Sequence, residues 1–255
     1  MVDKEKYSYK QETKASEENI KHRDVLYKLF KERPMPDDQL LINQGLYMRS
    51  SALAKILFIN EMFEMIIDIP GIIVEFGCWY GQNLVLFENL RAIYEPFNQS
   101  RRIVGFDTFK GYTSFTEKDV KSETVKEGSY NLSNDYKEYL EKLIDFHEKN
   151  NVLANIKKHQ IIEGDVTQSV PKYFNDHTEA VVALAYIDCG LYKPVKVCIE
   201  TILPHLIPGS VIMLDEFNAP EQPGETIAFR EVMKENKYSV IRSKYINDRT
   251  FIIME

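Results

Sequence analysis

The chain has 255 residues, of which 44% are hydrophobic and 28% charged, and its net charge is −7. This size suits one globular unit with a sizeable core, and the acidic balance argues against a nucleic-acid partner, which would need a basic face. Three scattered cysteines, no apolar run of about 18 residues and no signal-peptide pattern predict a cytoplasmic protein without disulfides or a membrane partner.

The N-terminal part, residues 1–69, predicts helices and no strand. An amphipathic pattern over residues 16–31 ends before Pro34, and a second helical region runs over residues 37–67. We therefore expect an N-terminal helical flap over residues 1–69, followed by a catalytic domain over residues 70–255. The apolar side chains of the flap could pair two subunits in a homo-oligomer, although helices that cover their own sheet have the same pattern.

From residue 70 onward, strand patterns alternate with helix patterns, which predicts an α/β fold with a doubly wound, mostly parallel sheet. Seven strands are expected, over residues 72–76, 102–107, 159–164, 180–188, 210–215, 238–243 and 250–254. The connection between the last two is short, so they form a terminal antiparallel hairpin. A long polar stretch over residues 110–134 predicts a lid inserted into the domain.

The first predicted strand leads into a glycine-containing corner, with the sequence GIIVEFGCWYGQN over residues 71–83. Gly77 and Gly81 let the backbone approach a ligand, and the free N–H groups of the following helix favour an anionic group. The spacing Glu-x-Gly-x-x-x-Gly differs from the Gly-x-Gly-x-x-Gly fingerprint of dinucleotide-binding folds. The corner therefore predicts a cofactor site, but not a typical nicotinamide site.

Acidic residues follow five successive predicted strands, at the edge where ligands bind in doubly wound sheets. They are Glu75, Asp107, Asp165, Asp188 and the pair Asp215 and Glu216. For any one of them, a helix cap or a turn is the simpler explanation. Five at the same topological position favour a ligand-binding edge.

Four blocks of sequence resemble class I S-adenosylmethionine (SAM)-dependent methyltransferases, and within them the macrocin O-methyltransferase (TylF-like) family. The blocks are VEFGCWYG (74–81), GFDTFKGY (105–112), YIDCGLY (186–192), and PGS (208–210) leading to LDEF (214–217). The resemblance runs over most of residues 43–255. It implies the Rossmann-like fold of class I methyltransferases, whose parallel sheet also ends in an antiparallel hairpin.

The resemblance implies SAM as the cofactor. The implied binding residues are Glu75, Gly77, Trp79, Tyr80, Gly81, Gln82, Asn83, Asp107, Thr108, Phe109, Asp165, Val166 and Asp188. Asp107 would accept the ribose hydroxyls, Asp165 would accept from the adenine amino group, and Glu75 would lie near the positive sulfur.

In the family, acids after the fourth and fifth strands bind Mg²⁺, and the matching residues are Asp188, Asp215 and Glu216. The resemblance implies that these residues are both metal ligands and catalytic, because the ion would lower the pKa of the acceptor hydroxyl. This sequence departs from the pattern of the family at two positions. Glu216 stands where the family usually has Asp, and Gly190 stands where it usually has a second Asp. In the alternative without metal, Asp188 holds the amino group of SAM and the other two acids cap a loop.

We therefore expect an O-methyltransferase that acts on a hydroxyl of a small molecule, a sugar or glycosylated metabolite in natural-product or sugar biosynthesis. One alternative is a metal-independent N- or carboxyl-methyltransferase, and others are an NAD-dependent oxidoreductase and a non-catalytic SAM-binding protein. The glycine spacing and the terminal hairpin count against the oxidoreductase. For the general base, Glu221 and Glu225 are better placed than His159, His177 or His205.

Overall fold

The computed structural model describes residues 15–255, so the part of the predicted flap before residue 15 lies outside the described residues. The flap contains α1 (Glu17–Lys31), α2 (Asp37–Leu40), a 3-10 helix (Gln44–Tyr47) and α3 (Ser50–Met65). The side chain of Ser16 caps α1 by accepting from the Asn19 N–H. No residue of α1 or α2 is buried, whereas α3 places Phe58, Ile59, Met62 and Phe63 in the core.

The remaining elements alternate as the sequence predicts. They are β1 (Ile72–Phe76), α4 (Gln82–Tyr94), β2 (Ile103–Asp107), α5 (Tyr136–Lys149), β3 (His159–Glu163), α6 (Val166–Asp176), β4 (Val182–Ile187), α7 (Tyr192–Ile202), a 3-10 helix (Leu203–His205), β5 (Leu206–Leu214), α8 (Gly224–Met233), β6 (Tyr238–Arg242) and β7 (Thr250–Met254). They form one seven-stranded sheet in the order β3-β2-β1-β4-β5-β7-β6. β1 to β5 are parallel, and β7 is antiparallel to both neighbours, which confirms the predicted fold class.

Helices cover both faces of the sheet, so the central strands are apolar on both sides. In β1, Ile73 packs with the residues of α3, α4 and α5, whereas its neighbour Val74 packs with those of α6, α7 and α8. All six residues of β4 are buried. Among the described helices, none has the length and apolar character that crossing a bilayer requires.

The start of β5 differs from the prediction of a turn at Pro208-Gly209. The strand already begins at Leu206, which pairs with Val182, and the register shifts before the next pair. Ser210 bridges the irregular segment, because its Oγ donates to the Val182 carbonyl at 2.7 Å and accepts from the Ile207 N–H at 2.9 Å. The prediction of a turn before the strand was therefore wrong in its bounds: β5 starts at Leu206, and Pro208 and Gly209 lie in a bulge between the paired residues Leu206 and Val211, where Gly209 has φ +89°.

The order of strands reverses between β1 and β4, which are adjacent in the sheet but separated by β2 and β3 in the chain. Connections leave this point in opposite directions, so a crevice opens at the carboxyl ends of β1 and β4. The five acid-bearing strand ends predicted from the sequence all lie along this edge.

A buried ion cluster lies away from that crevice, between α4, α5 and the start of β3. Arg91 pairs with Glu88 and, at 3.0 Å, with Glu148, and Lys158 Nζ lies 2.5 Å from Glu148. His159 Nδ1 lies 3.2 Å from Glu148 and 3.3 Å from Glu88. Glu88, Glu148 and His159 place ligand atoms within 4.8 Å of one another, as a metal site would. The two basic side chains already neutralise the acids, so the cluster is a structural ion network.

This cluster makes the stability of the fold dependent on pH. Burial alone would lower the pKa of His159, but its hydrogen bonds to Glu148 and Glu88 outweigh burial and raise the pKa to about 9. The pKa is higher in the folded chain than in the unfolded chain, where it is about 6.5. Protonated His159 therefore contributes stability that is complete below the unfolded value and is lost as the pH rises through the folded value.

Urea denaturation between pH values of about 6.5 and about 9 is expected to show this loss in the wild-type protein. His159→Gln has no imidazole to titrate, so its free energy of unfolding is expected to change less over the same range. If the free energy of unfolding changed equally with pH in the two proteins, the assignment of the charge to His159 would be contradicted.

Candidate active site

A cavity of about 860 Å³ occupies the crevice at the carboxyl edge of the sheet, within the usual size of small-molecule sites. Of the residues that the sequence assigns to the site, the following line it: Glu75, Gly77, Trp79, Tyr80, Gln82, Asn83, Asp107, Thr108, Asp165, Val166, Asp188, Asp215 and Glu216. Gly81 and Phe109 do not line it. The structure therefore brings nearly all of the predicted residues to one cavity.

The glycine corner is held in place by Asp107, the last residue of β2. Its Oδ2 accepts from the N–H groups of Cys78 and Trp79, both at 2.7 Å, and its Oδ1 accepts from the Phe109 N–H at 2.6 Å. A carboxylate offers about four acceptor positions, so three backbone donors leave little capacity for a ligand. The first role of Asp107 in this structure is to shape the loop, and binding of ribose hydroxyls stays a prediction.

Gly81 and Phe109 contribute through the backbone. Gly81 has φ +73° and precedes the first residue of α4, and its N–H donates to the Cys78 carbonyl at 2.7 Å. This left-handed conformation is cheap for glycine, and it turns the chain into the helix. Phe109, which also has a positive φ of 53°, is buried behind the cavity.

Glu75, at the end of β1, is a buried carboxylate that is only half satisfied. Its Oε1 accepts from the Asn83 side-chain amide at 2.7 Å, whereas Oε2 has no hydrogen-bond partner. Burial, and then the nearby charge of Asp188, raise the pKa of Glu75 well above its ordinary value. A buried acceptor without a partner is costly and uncommon. Because this one lines the cavity, it fits a ligand that brings a cation or a donor.

Asp165 is the N-cap of α6, and helix capping is the simpler explanation for any single acid at the end of a strand. Its Oδ1 accepts from the backbone N–H of Thr167 at 2.8 Å and from the Thr167 hydroxyl at 2.7 Å. Oδ2 accepts from the Ser114 hydroxyl at 3.2 Å. Burial raises the pKa of Asp165, but these hydrogen bonds outweigh burial and lower it. Asp165 is thus an ionised acceptor beside Val166, and its contact with adenine stays a prediction.

The predicted metal ligands Asp188, Asp215 and Glu216 follow β4 and β5 and line the same end of the cavity. Burial, followed by repulsion from Asp215, raises the pKa of Asp188 well above its ordinary value, and the same causes raise the pKa of Glu216. Among residues 15–255, these three are not a trio whose ligand atoms all lie within 4.8 Å of one another. They form an acidic group that lacks a compact metal geometry in this conformation.

Two cations that the sequence analysis missed lie among these acids. Lys55 of α3 donates from Nζ to the Tyr186 hydroxyl at 2.5 Å, and this hydroxyl donates to Asp215 Oδ1 at 3.0 Å. Arg249, in the connection between β6 and β7, donates from Nε to Oδ1 and from Nη2 to Oδ2 of Asp215 at 3.1 and 2.9 Å. Neither cation belongs to a motif, so their positions follow only from the packing of α3 and the hairpin.

Glu225, a candidate general base from the sequence, has a different role. It is fully buried and does not line the cavity. Its Oε1 accepts from the Gly190 N–H and its Oε2 from the Glu216 N–H, both at 2.9 Å. Glu225 therefore ties the loop after β4 to the loop after β5, and its burial away from the cavity keeps it from a substrate proton. Glu221, the other candidate, lines the cavity.

The predicted lid over residues 110–134 covers the cavity. Its two ends meet in a bridge between Lys110 and Asn131, and Asp119 accepts from the N–H of Tyr192 at the start of α7 at 2.7 Å. A Cβ at Gly190 would lie 2.5 Å from the Tyr112 hydroxyl. Tyr112 of this segment thus occupies the space that a side chain at position 190 would need.

Comparisons with known proteins agree with this geometry. The family described as "Methyltransferase domain" matches residues 74–217, more than half of the chain. A structure of CalS11, described as a calicheamicin methyltransferase, is 32% identical, covers 96% of this chain and 98% of that chain, and has a TM-score of 0.88. A comparison with curated protein sequences gives no match.

A second, apo structure of CalS11 is described as TDP-rhamnose 3'-O-methyltransferase, an enzyme in calicheamicin biosynthesis. It is 31% identical, covers 94% of this chain and 96% of that chain, and has a TM-score of 0.82. The O-methyltransferase NovP is 15% identical, with 79% of each chain covered and a TM-score of 0.59, and shares the fold. The protein therefore belongs to the methyltransferase domain family and is a class I SAM methyltransferase.

Proposed function

We propose that the protein is a TylF-like O-methyltransferase, which transfers the methyl group of SAM to a hydroxyl of a sugar or glycosylated small molecule. The observation that carries this proposal is the unpartnered Oε2 of Glu75, buried in the cavity between the glycine corner and the acidic group. The description of CalS11 as a TDP-rhamnose 3'-O-methyltransferase supports a sugar as the acceptor.

In this proposal the cofactor lies along the cavity from Asp165 to Glu75. The start of α4, with Gln82 and Asn83, presents free N–H groups to the carboxylate of SAM. The positive sulfur and amino group would lie beside Glu75, whose Oε2 has no hydrogen-bond partner. Methyl transfer is an in-line displacement, so the lid and α3 contribute by holding the reactants collinear and excluding water.

The acidic group fits a hard divalent cation, because three carboxylates line the same cavity and burial together with repulsion from Asp215 raises the pKa values of Asp188 and Glu216. Asp188, Asp215 and Glu216 would hold Mg²⁺, which would supply Lewis-acid activation of the acceptor hydroxyl. Glu225 keeps the backbones of the two acid-bearing loops at a fixed separation. We assign removal of the acceptor proton to Glu221, which lines the cavity.

Removal of the Asp215 charge tests the role of the acidic group. In Asp215→Ala and Asp215→Asn, we expect methyl transfer to fall by roughly 100-fold or more, because one catalytic charge is lost, while SAM binding is kept. Production of S-adenosylhomocysteine (SAH) with TDP-rhamnose as the probe acceptor measures the rate, and calorimetry measures binding.

Asp176→Ala is the matched control, because Asp176 is an exposed acid at the end of α6. Its turnover is expected to equal that of the wild type. Unchanged turnover in both Asp215 variants would contradict the metal-assisted mechanism.

A metal-independent methyltransferase is the second candidate, and the fork of Arg249 on Asp215 favours it, because that acid already has a counter-ion. Turnover that is insensitive to a chelator would support this candidate, whereas loss of turnover that Mg²⁺ restores would support the first.

A further inference from the structure

We propose that Arg249 is an internal counter-ion that competes with a divalent cation for Asp215 and so sets the affinity of the acidic group for that ion. This inference rests on the proposed function, since it concerns the same acids. It assigns a role to a residue outside the sequence blocks that point to the site.

The geometry of Asp215 leaves little room for another positive partner. Arg249 engages both carboxylate oxygens, and the Tyr186 hydroxyl adds a third donor at Oδ1. Oδ1 thus carries two donors, the usual capacity of one carboxylate oxygen. An ion can bind Oδ2 alone while the fork is in place, and it then lies beside a guanidinium of the same sign.

The pair is largely shielded from water, which makes the competition strong. The side chain of Arg249 is 24% exposed and that of Asp215 is 14% exposed. Charge-assisted, two-point pairs are stronger than single hydrogen bonds, and solvent screens this one less than a surface pair. The fork holds Asp215 toward the hairpin, in accord with the finding that, among residues 15–255, the three acids do not bring their ligand atoms within 4.8 Å of one another.

Asp248 is a second carboxylate with which the guanidinium of Arg249 can pair. Nη1 of Arg249 lies 3.6 Å from Oδ2 of Asp248, whose side chain is 77% exposed at the rim. The backbone around Arg249 is fixed, because its N–H donates to the Ile246 carbonyl and its carbonyl accepts from the Ser243 N–H, both at 3.0 Å. Release of Asp215 therefore needs only a side-chain rotation toward Asp248, with the hairpin unchanged.

Binding of Mn²⁺ to the protein with saturating SAH tests this inference, with free Mn²⁺ measured by its paramagnetic resonance signal. Arg249→Gln is expected to bind Mn²⁺ roughly tenfold more tightly than the wild type, the effect of removing one competing charge-assisted interaction. Arg249→Lys keeps the charge but loses the fork, so we expect an affinity between the two. Arg242→Gln is the matched control, since Arg242 is exposed on β6 of the same hairpin, and it is expected to bind as the wild type does.

Equal or weaker Mn²⁺ binding in Arg249→Gln would overturn the inference, as would the absence of Mn²⁺ binding in every protein. If Arg249→Gln does not fold, Arg249→Lys serves as the test variant. A Mn²⁺ affinity of Arg249→Lys no higher than that of the wild type would then overturn the inference. Calorimetric binding of SAH is measured on the same samples. If SAH binds but Arg249→Gln does not bind Mn²⁺ more tightly, only the role of Arg249 is refuted. If the wild type does not bind SAH, the proposed function is refuted.

Discussion

Replacement of Asp188 by asparagine is expected to reduce methyl transfer at least about 100-fold, because this acid serves both halves of the proposed site. Asp188 follows the central strand β4; it raises the pKa of Glu75 at the cofactor end, and Asp215 at the acceptor end raises the pKa of Asp188. Burial raises its pKa strongly, and Lys55 opposes that shift. Asparagine keeps the volume and removes the charge.

The rate of SAH production and the calorimetric affinity for SAH measure the two roles of Asp188 separately. We expect the rate to fall more than the affinity, because activation of the acceptor depends on the charge itself. Asp68→Asn, at an exposed acid that precedes β1, is the control and should change neither quantity. Wild-type turnover in Asp188→Asn would remove this acid from the mechanism.

Gly77→Ala is expected to abolish SAH binding and to lower the free energy of unfolding by about 3 kcal/mol or more. Gly77 has φ +88°, and a Cβ there would lie 2.1 Å from the carbonyl oxygen of Asp188. The N–H of Gly77 donates to the Phe106 carbonyl at 2.8 Å, which fixes its position. The new methyl group can be accommodated only by moving apart the ends of β1 and β4, where Glu75 and Asp188 lie.

Gly128→Ala separates the steric clash from the backbone strain. Gly128, in the lid, has φ +77°, but a Cβ there would meet no atom within 4 Å. Its alanine variant should lose about 1 kcal/mol, the cost of the left-handed conformation alone, and keep SAH binding. Urea denaturation and calorimetry on both variants check this difference. Equal losses of stability in the two would show that strain, and not the contact with Asp188, makes Gly77 necessary.

The fold could be predicted from the sequence because the strands are apolar runs and the helices between them have one apolar and one polar face. Burial of the sheet between two layers of helices requires this pattern. The error at the start of β5 arose because Leu206 already pairs with Val182, so that Pro208 and Gly209 form a bulge within the strand and not a turn before it. The cytoplasmic location and the subunit pairing stay predictions.

The candidate site was predictable where topology fixes it, at strand ends such as Glu75 and Asp188. Site residues that are brought to the cavity by long-range packing could not be predicted. Lys55 reaches the acids from α3, and Arg249 reaches them from the last hairpin, through contacts between residues more than 30 positions apart. Glu225 appeared as a candidate base, and only its two backbone donors reveal that it positions loops.

Calorimetric titration of the protein with SAH tests most directly whether the cavity is a SAM site. We expect one-to-one binding in the micromolar range and its loss in Gly77→Ala. Absence of binding by a folded wild-type protein would contradict the assignment of the cavity to SAM and, with it, the proposed methyl transfer.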